Sequence, residues 1–272
     1  MASTTRTRPA TPDDGVTWIT GGSSGIGAAV AAALAARGGT VAVTARDAAA
    51  LDAVAAAAPP GRIVAVPGDV TDAAAMAAAV ARIEREVGSI AVALLNAGVY
   101  LPVDGRDPDP ALFAASFAVN LGGTVNALLP ALAAMKPRRH GRLVIVSSVA
   151  GYRGLPTSAA YGATKAALIN LAESLKFDLD GLGIHVQVVS PGFVDTPATR
   201  ANPFPMPHLM SVEAAAARLV AGLHSRRFEV TFPRRFTWQL KLLRLLPDAL
   251  YFPLVARATG WSARGRGRPP TG

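Results

Sequence analysis

Short runs of β-branched and apolar residues alternate along this chain with helical segments of ten or more residues. Strands separated by helices of that length are joined by right-handed crossovers, and such strands run parallel. We therefore predict an α/β fold, a doubly wound parallel Rossmann-type sheet of about seven strands. The predicted strands are VTWIT (16–20), TVAVT (40–44), RIVAVP (62–67), IAVALLN (90–96), GRLVIVSS (141–148), IHVQVVS (184–190) and FEVTF (228–232).

The length and composition fit one domain with additions at its ends. The 272 residues are 51% hydrophobic and 17% charged, which supplies ample material for one core. We predict a disordered tail over 1–15, the Rossmann domain over 16–232, a helical extension over 233–260 and a second disordered tail over 261–272. The first fifteen residues lack the apolar region of a signal peptide, and we predict no membrane-spanning segment, so we expect a cytoplasmic protein.

The composition also excludes several kinds of site. Cysteine is absent, which removes disulfides and thiolate chemistry, and the four scattered histidines give no metal-ligand spacing, so we expect no metal. The net charge of +9 is concentrated from Arg234 onward, where eight basic residues and one acidic residue leave only +2 for the rest. A near-neutral domain is a poor nucleic-acid binder, so we expect no nucleic-acid partner.

A glycine-rich turn, TGGSSGIG (20–27), directly follows the first predicted strand. Between a strand and a helix, such a turn brings backbone N–H groups and the positive end of the helix against a diphosphate. We therefore predict a nucleotide site. Its diphosphate-binding residues are Gly21, Ser23, Ser24, Gly25, Ile26 and Gly27.

The spacing TGxxxGxG resembles that of the short-chain dehydrogenase/reductase family, in its single-domain branch with a YxxxK motif. GDV (68–70) and NAG (96–98) extend the resemblance. It implies that Asp69, followed by Val70, contacts the adenine, and that NAG lies beside the cofactor. The cofactor-binding residues in that segment are Asn96, Ala97 and Gly98, while Leu95 stands where the family commonly has another asparagine.

The tip of the second strand predicts which cofactor is used. An NAD enzyme of this architecture places a carboxylate there for the ribose 2′-hydroxyl, whereas a 2′-phosphate needs an arginine. Ala45 occupies the acid position, and Arg46 resembles the family's phosphate clamp, with a solvated loop arginine as the alternative. Asp47 adjoins it but fits a helix N-cap. We predict NADP(H) rather than NAD(H).

The stretch SAAYGATKAAL (158–168) puts Tyr161 and Lys165 at positions i and i+4 of a predicted helix. Both side chains therefore project from one face, a turn apart. An ammonium favours the phenolate and would lower the tyrosine pKa from its ordinary value near 10. The spacing alone is common on exposed helices, so its interpretation depends on what surrounds it.

Ser148 lies thirteen residues before Tyr161, at the carboxyl end of a predicted strand, where open α/β sheets bind ligands. This order resembles the family's serine and YxxxK set, and Asn120 resembles its fourth catalytic residue. The resemblance implies that Tyr161 exchanges the proton of a carbonyl or alcohol oxygen held by Ser148. Lys165 would lower the tyrosine pKa and bind the nicotinamide ribose, and Asn120 would position a water. Ser147 is the rival serine, but spacing favours Ser148.

Two segments near the end of the chain bear on the substrate. SPGFVDTPATR (190–200) resembles the family's segment that closes over the nicotinamide, through Pro191, Gly192, Val194 and Thr196. The apolar, proline-rich continuation, with Phe204, Met206, Leu209 and Met210, fits a lid over an apolar substrate or an ordinary surface loop.

The segment 234–260 mixes aromatic and aliphatic residues with arginine and lysine. It fits a basic amphipathic helix at a membrane surface, with a helix over the substrate entrance and a helix in a subunit interface as alternatives.

The resemblance implies a homo-oligomeric oxidoreductase that transfers a hydride between NADP(H) and a small carbonyl compound or secondary alcohol. The alternative is a catalytically silent NADP-binding sensor or scaffold on the same fold.

Overall fold

Seven strands form one sheet at the centre of the molecule. In the computed structural model, which describes residues 8–200 and 206–261, their order is β3-β2-β1-β4-β5-β6-β7. Every neighbouring pair is parallel, which confirms the predicted doubly wound sheet. The strands are β1 Val16–Thr20, β2 Val41–Thr44, β3 Ile63–Ala65, β4 Ile90–Leu95, β5 Gly141–Val146, β6 Ile184–Pro191 and β7 Glu229–Phe232.

Helices connect the strands, and several begin at side-chain caps. Asp47 accepts a hydrogen bond from the amide of Ala50, as expected of an N-cap, and Asp72 caps the next helix in the same way. The helices are α1 Gly25–Ala35, α2 Ala48–Ala56, α3 Ala73–Glu86, α4 Pro110–Ser116, α5 Gly123–Met135, α6 Ala159–Leu179, α7 Pro197–Arg200, α8 Val212–Leu223, α9 Arg234–Arg244 and α10 Asp248–Ala258.

The sheet is buried on both faces. Successive residues of a strand point to opposite sides, so Trp18 and Ile19 of β1 enter different apolar clusters. The cluster around Trp18 includes residues of α3, α5 and α6, and the cluster around Ile19 includes residues of α1 and α8. These three layers fix the strands, and the loops at the carboxyl ends are free to carry the site.

Residues 8–15 pack against the domain, whereas a disordered tail is predicted over 1–15. Ala10 is fully buried, and its carbonyl accepts a 2.7 Å hydrogen bond from Nε of the buried Arg142. A short 3₁₀ helix, Pro12–Asp14, then leads into β1. Burial of this segment against β5 is the physical reason for its order. The rest of the predicted tails, residues 1–7 and 262–272, lies outside the described residues.

One long helical segment is predicted between β4 and β5, from about 109 to 135. The structure instead divides this crossover. A π-helical turn, Phe117–Gly122, separates α4 from α5. By length and composition alone, the stretch Pro110–Arg138 is apolar enough to cross a membrane, although the sequence analysis predicted no such segment. In the fold it packs against the sheet and α3 as a core crossover, through residues such as Leu128 and Met135.

Candidate active site

A cavity of about 1270 Å³ opens where the carboxyl ends of β1, β4 and β5 meet. The chain goes outward from β1 to β2 and β3 and then returns to β4, so this is the switch point at which open sheets bind ligands. The volume exceeds the range of about 300–1,000 Å³ typical of small-molecule sites. It therefore has room for a dinucleotide beside a second small molecule.

The glycine-rich turn forms one end of this cavity. A Cβ at Gly27 would lie 2.2 Å from the Gly21 carbonyl oxygen, and Gly21 itself has a φ of +66°. The close approach requires glycine at position 27, and the positive φ favours glycine at position 21. The Ser24 side chain makes no capping hydrogen bond, so the first amides of α1 face the cavity without that partner. Such amides fit a diphosphate.

Asn96 and Thr20 hold the turn in place. The Asn96 side-chain amide donates to the carbonyls of Thr20 and Gly21, at 3.1 and 3.2 Å. The Thr20 hydroxyl in turn accepts from the amides of Asn96 and Ala97. The sequence motifs predict Asn96 beside the cofactor and give no role to Thr20. The signal was present, because this threonine is the first residue of the TGxxxGxG motif.

Arg46 and Asp69 lie at the outer edge of the same end. Arg46 is exposed and lines the cavity directly after β2. Asp69 accepts a 2.9 Å hydrogen bond from the Thr71 amide. This hydrogen bond from the backbone N–H, helped by the charge of Arg46, lowers the pKa of Asp69. Val70 also lines the cavity, beside Asp69.

Ser148, Tyr161 and Lys165 line the opposite end of the cavity. Tyr161 lies in the first turn of α6, Lys165 one turn later, and Ser148 directly after β5. Ser148 lies beside Tyr161 and opposes the rise in the tyrosine pKa. The Ser147 hydroxyl instead donates to the Lys165 carbonyl oxygen at 2.7 Å and ties β5 to α6. The fold therefore puts Ser148 beside the tyrosine hydroxyl and engages Ser147 elsewhere.

Burial controls the ionisation of this group. It raises the pKa of Tyr161, against the opposing effect of Ser148. It also lowers the pKa of Lys165 to about 8. The Lys165 ammonium donates to the Val146 carbonyl at 2.9 Å and lies 5.6 Å from the centroid of the Tyr161 ring. Burial is the largest influence on the pKa of Tyr161, and the lowering of that pKa by Lys165 stays a prediction.

Asn120 lies in the π-helical turn and connects two parts of the site. Its side chain accepts from the Val99 amide at 2.7 Å and donates to the Val99 carbonyl at 3.0 Å and to the Thr164 hydroxyl. Gly98 fits between Asn120 and Lys165, since a Cβ there would lie 3.1 Å from Asn120 Oδ1 and 3.4 Å from Lys165 Nζ. Asn120 therefore joins the loop after β4 to α6 at the catalytic end.

The segment after β6 folds back over the glycine turn. Thr196 lies across the cavity from Gly25, where an added Cβ would be 3.3 Å from Thr196 Cγ2. Val194 pairs with Met210 in an isolated β-bridge. The backbone hydrogen bonds on either side of this pair hold the segment in place. Pro191, Gly192, Val194 and Thr196 all line the cavity. Met210 is half-buried and Leu209 is 46% exposed, whereas Phe204 lies outside the described residues.

The C-terminal helices roof the substrate end of the cavity. Leu240 and Leu243 of α9 and Val255 of α10 line it, as does Trp261, which the sequence analysis placed in the disordered tail. The cavity-facing side of α9 and α10 therefore agrees with one of the three interpretations of segment 234–260, a helix over the substrate entrance.

Three consecutive residues, four to six positions after Ser148, hold this roof. None of them is predicted from the sequence as a site residue. Tyr152 donates to Glu229, which also binds Lys241 of α9. Arg153 donates to the Leu246 carbonyl at 2.6 Å. Gly154 accepts from the Tyr251 hydroxyl at 2.7 Å. We call Tyr152, Arg153 and Gly154 the roof anchor. Because its partners are 75 to 100 residues away, no local pattern marks it.

Within the described part of the chain, no group of three or more His, Asp or Glu residues could hold a metal ion.

Comparison with known proteins gives a consistent result. A family model described as short chain dehydrogenase matches residues 15–204. An uncharacterized oxidoreductase of Myxococcus xanthus (strain DK1622) is 34% identical over 235 residues, which cover 86% of this chain and 93% of that protein. The 2-(S)-hydroxypropyl-CoM dehydrogenase 3 of Xanthobacter autotrophicus is 40% identical over 178 residues, covering 65% of this chain and 70% of that protein.

A solved structure agrees with the sequence comparisons. A short-chain dehydrogenase from Streptomyces avermitilis matches with a TM-score of 0.76 at 26% identity, covering 93% of this chain and 99% of that one.

Proposed function

The chain belongs to the short-chain dehydrogenase family, and from that premise we propose that it transfers a hydride between NADP(H) and an apolar carbonyl compound or secondary alcohol. One observation carries the proposal. Ser148, Tyr161 and Lys165 line the same cavity as the glycine-rich turn, at its other end. A nucleotide diphosphate seated at the turn would leave the catalytic end for its nicotinamide and the substrate.

The nicotinamide, when bound, supplies or accepts the hydride. In carbonyl reduction, the Tyr161 hydroxyl donates its proton to the substrate oxygen as the negative charge develops there. The Ser148 hydroxyl donates a hydrogen bond to the same oxygen and fixes its position. A tyrosine hydroxyl is protonated at neutral pH and can therefore act as the proton donor. In alcohol oxidation the roles reverse, and the phenolate accepts the proton.

Lys165 supports the reaction from the buried side of Tyr161. Its ammonium is held by the Val146 carbonyl and lies next to Gly98, at the position where the ribose of a nicotinamide nucleotide would lie. Ammonium donors suit ribose hydroxyls. Asn120 positions the Val99 backbone and Thr164 around this group. In this proposal Asn120 is a positioning residue. Besides holding Val99 and Thr164, it would position the water predicted from the family resemblance.

The preference for NADP(H) rests on the tip of β2. Arg46 is exposed at the cavity edge, where a 2′-phosphate would need a cation, and Ala45 offers no carboxylate to a ribose hydroxyl. Asp47 also lines the cavity, but one of its carboxylate oxygens is engaged as the N-cap of α2.

An apolar substrate is supported by the walls of the catalytic end. Leu155, Phe193, Phe236, Leu240 and Leu243 line that part of the cavity. A mostly apolar wall with a few convergent polar groups is typical of a site for an apolar small molecule. The predicted cytoplasmic location and homo-oligomeric state belong to this proposal as well, and sedimentation velocity would measure the latter.

The experiment is an NADPH-oxidation screen over ketones, quinones, steroids and acyl compounds, run in parallel with NADH. We expect turnover with NADPH by the wild-type protein and at least about a 100-fold lower kcat for Tyr161→Phe, because the phenylalanine has no proton to donate. Fluorescence titration of NADPH checks that the variant still folds and binds. Equal turnover by the variant would contradict the assigned acid. Tight NADPH binding without turnover on any substrate would favour the silent sensor.

A further inference from the structure

The helix α9 has two apolar faces rather than one. Phe236, Leu240 and Leu243 face the cavity. Trp238, Leu242 and Leu245 follow the same spacing of four and three residues but begin two positions later. At about 100° per residue, an offset of two residues rotates a side chain by about 200°. The second set therefore lies on the opposite side of the helix, away from the substrate.

This outer face is exposed to an unusual degree. Trp238 is 60% exposed, Leu242 is 63% exposed and Leu245 is 77% exposed. Helix α10 adds Leu250 and Leu254, exposed by 58% and 46% on one side of the helix, and Phe252, exposed by 62% on the other. Among the residues that the structure describes, ten large hydrophobic side chains are exposed, and six of them lie between Trp238 and Leu254. Such a concentration of exposed apolar side chains in one segment is more than ordinary scatter and suggests a docking site.

Basic residues accompany this surface. Arg234, Arg235 and Arg244 of α9 are exposed and do not line the cavity. The one acidic residue from position 234 onward is Asp248, and its carboxylate already pairs with Arg153. The surface therefore combines apolar side chains with uncompensated positive charge. Its electrostatic complement is an extended negative surface into which apolar side chains can insert.

We infer that the outer face of α9 and α10 docks on the surface of an anionic lipid bilayer. Each helix has 11 residues, and at 1.5 Å per residue this is about half the thickness of a hydrocarbon core, so neither can span it. Lying in the interface, the segment would insert Trp238, Leu242 and Leu245 among the acyl chains, while the arginines meet the headgroup phosphates.

The charge argues against a second copy of the chain as the occupant. A two-fold contact through this face would bring the same patch of each copy together. Arg234, Arg235 and Arg244 would then approach their own counterparts, and the one acid, Asp248, is already paired within its own chain. An anionic bilayer attracts these residues instead. The roof anchor keeps both helices folded against the cavity, so the outer face is formed before docking.

Vesicle flotation with the full-length protein tests this inference, which does not rest on the proposed activity. The vesicles are phosphatidylcholine alone or mixed with phosphatidylglycerol at about 3:1. We expect flotation with the anionic vesicles, weakened when salt rises from 0.1 to 1 M, because the Debye length falls from about 10 to about 3 Å. The triple variant Trp238→Ser, Leu242→Ser, Leu245→Ser should lower the partition coefficient by at least about tenfold.

Two further variants separate docking from unfolding and from general stickiness. Arg234→Gln, Arg235→Gln, Arg244→Gln keeps every apolar residue and should lose most of the preference for anionic vesicles. Phe177→Ser removes an aromatic side chain that is 88% exposed on α6, and it should float like the wild type. Equal flotation of all variants, or of wild type with both vesicle types, overturns the inference. So does an absence of flotation with a concentration-dependent dimer that the serine variant abolishes.

Discussion

The guanidinium carbon of Arg153 lies 3.8 Å from the centroid of the Tyr251 ring. Arg153 follows Ser148 by five positions, whereas Tyr251 belongs to α10 at the far end of the chain. The stacking interaction and the hydrogen bond from Arg153 to the Leu246 carbonyl join the catalytic segment to the roof of the cavity. A change in one is therefore expected to affect the other.

Loss of this contact should loosen the roof more than the domain. For Arg153→Ala we expect a local loss of about 1–2 kcal/mol, which accelerates hydrogen exchange of the α10 amides by about 5–30-fold. Exchange of the β5 amides should not change. The same variant should raise KM for apolar substrates, because Val255 lines the cavity from α10. Tyr251→Phe keeps the ring under Arg153 and should show a smaller effect. Unchanged exchange in α10 would refute the role of the anchor.

The buried Lys165 should leave a signature in the pH dependence of stability. Its pKa falls from 10.5 to about 8 in the folded protein because of burial. Between these values the unfolded chain binds more protons, so this group makes the protein more stable as pH rises from about 8 to 10.5, by up to about 3 kcal/mol. Denaturant unfolding of the wild type and Lys165→Met across that range measures it.

The comparison between the two proteins isolates this one group. The methionine variant should be inactive, and its stability relative to wild type should be greatest below pH 8 and decline steadily toward pH 10.5. The lost hydrogen bond to Val146 contributes a nearly constant offset and does not alter the slope. A difference in stability that is flat across this range would show that the lysine is not desolvated in solution.

The role of Arg46 can be tested through the two nicotinamide cofactors. Arg46→Ala should weaken NADPH binding by about 10–100-fold, the effect of losing a charge-assisted hydrogen bond to phosphate, and should leave NADH binding nearly unchanged. Arg37→Ala is the matched control, since Arg37 is also exposed, in the loop between α1 and β2, and does not line the cavity. If both variants weaken NADPH binding equally, Arg46 contributes only general charge.

The tight geometry of the glycine turn predicts a large effect from one methyl group. Gly27→Ala would put a Cβ 2.2 Å from the Gly21 carbonyl oxygen, so the backbone must shift. We expect a loss of about 1–3 kcal/mol in the free energy of unfolding, together with much weaker nucleotide binding. At Gly105 nothing lies within 4 Å of an added Cβ, and Gly105→Ala should stay within about 0.5 kcal/mol of wild type. Thermal unfolding with and without NADPH compares them.

Much of this protein could be predicted from local patterns. The strand VTWIT over 16–20 matches β1, because period and β-branched composition act within a few residues. The glycines of the first turn and the i, i+4 spacing of Tyr161 and Lys165 are equally local. These features determined the sheet, the position of the turn and the pairing of the two side chains on one helix face.

Other features needed the whole fold. Ala10 is ordered because Arg142, 132 residues later, binds its carbonyl, and the roof stays over the cavity because Arg153 holds Leu246. Burial raises the pKa of Tyr161, an effect that the neighbours of this residue along the chain do not predict. The sequence by itself determined which chemical groups are present and how nearby residues are spaced. Tertiary structure decided their burial and long-range partners, since desolvation depends on everything packed around a group and not on its neighbours along the chain.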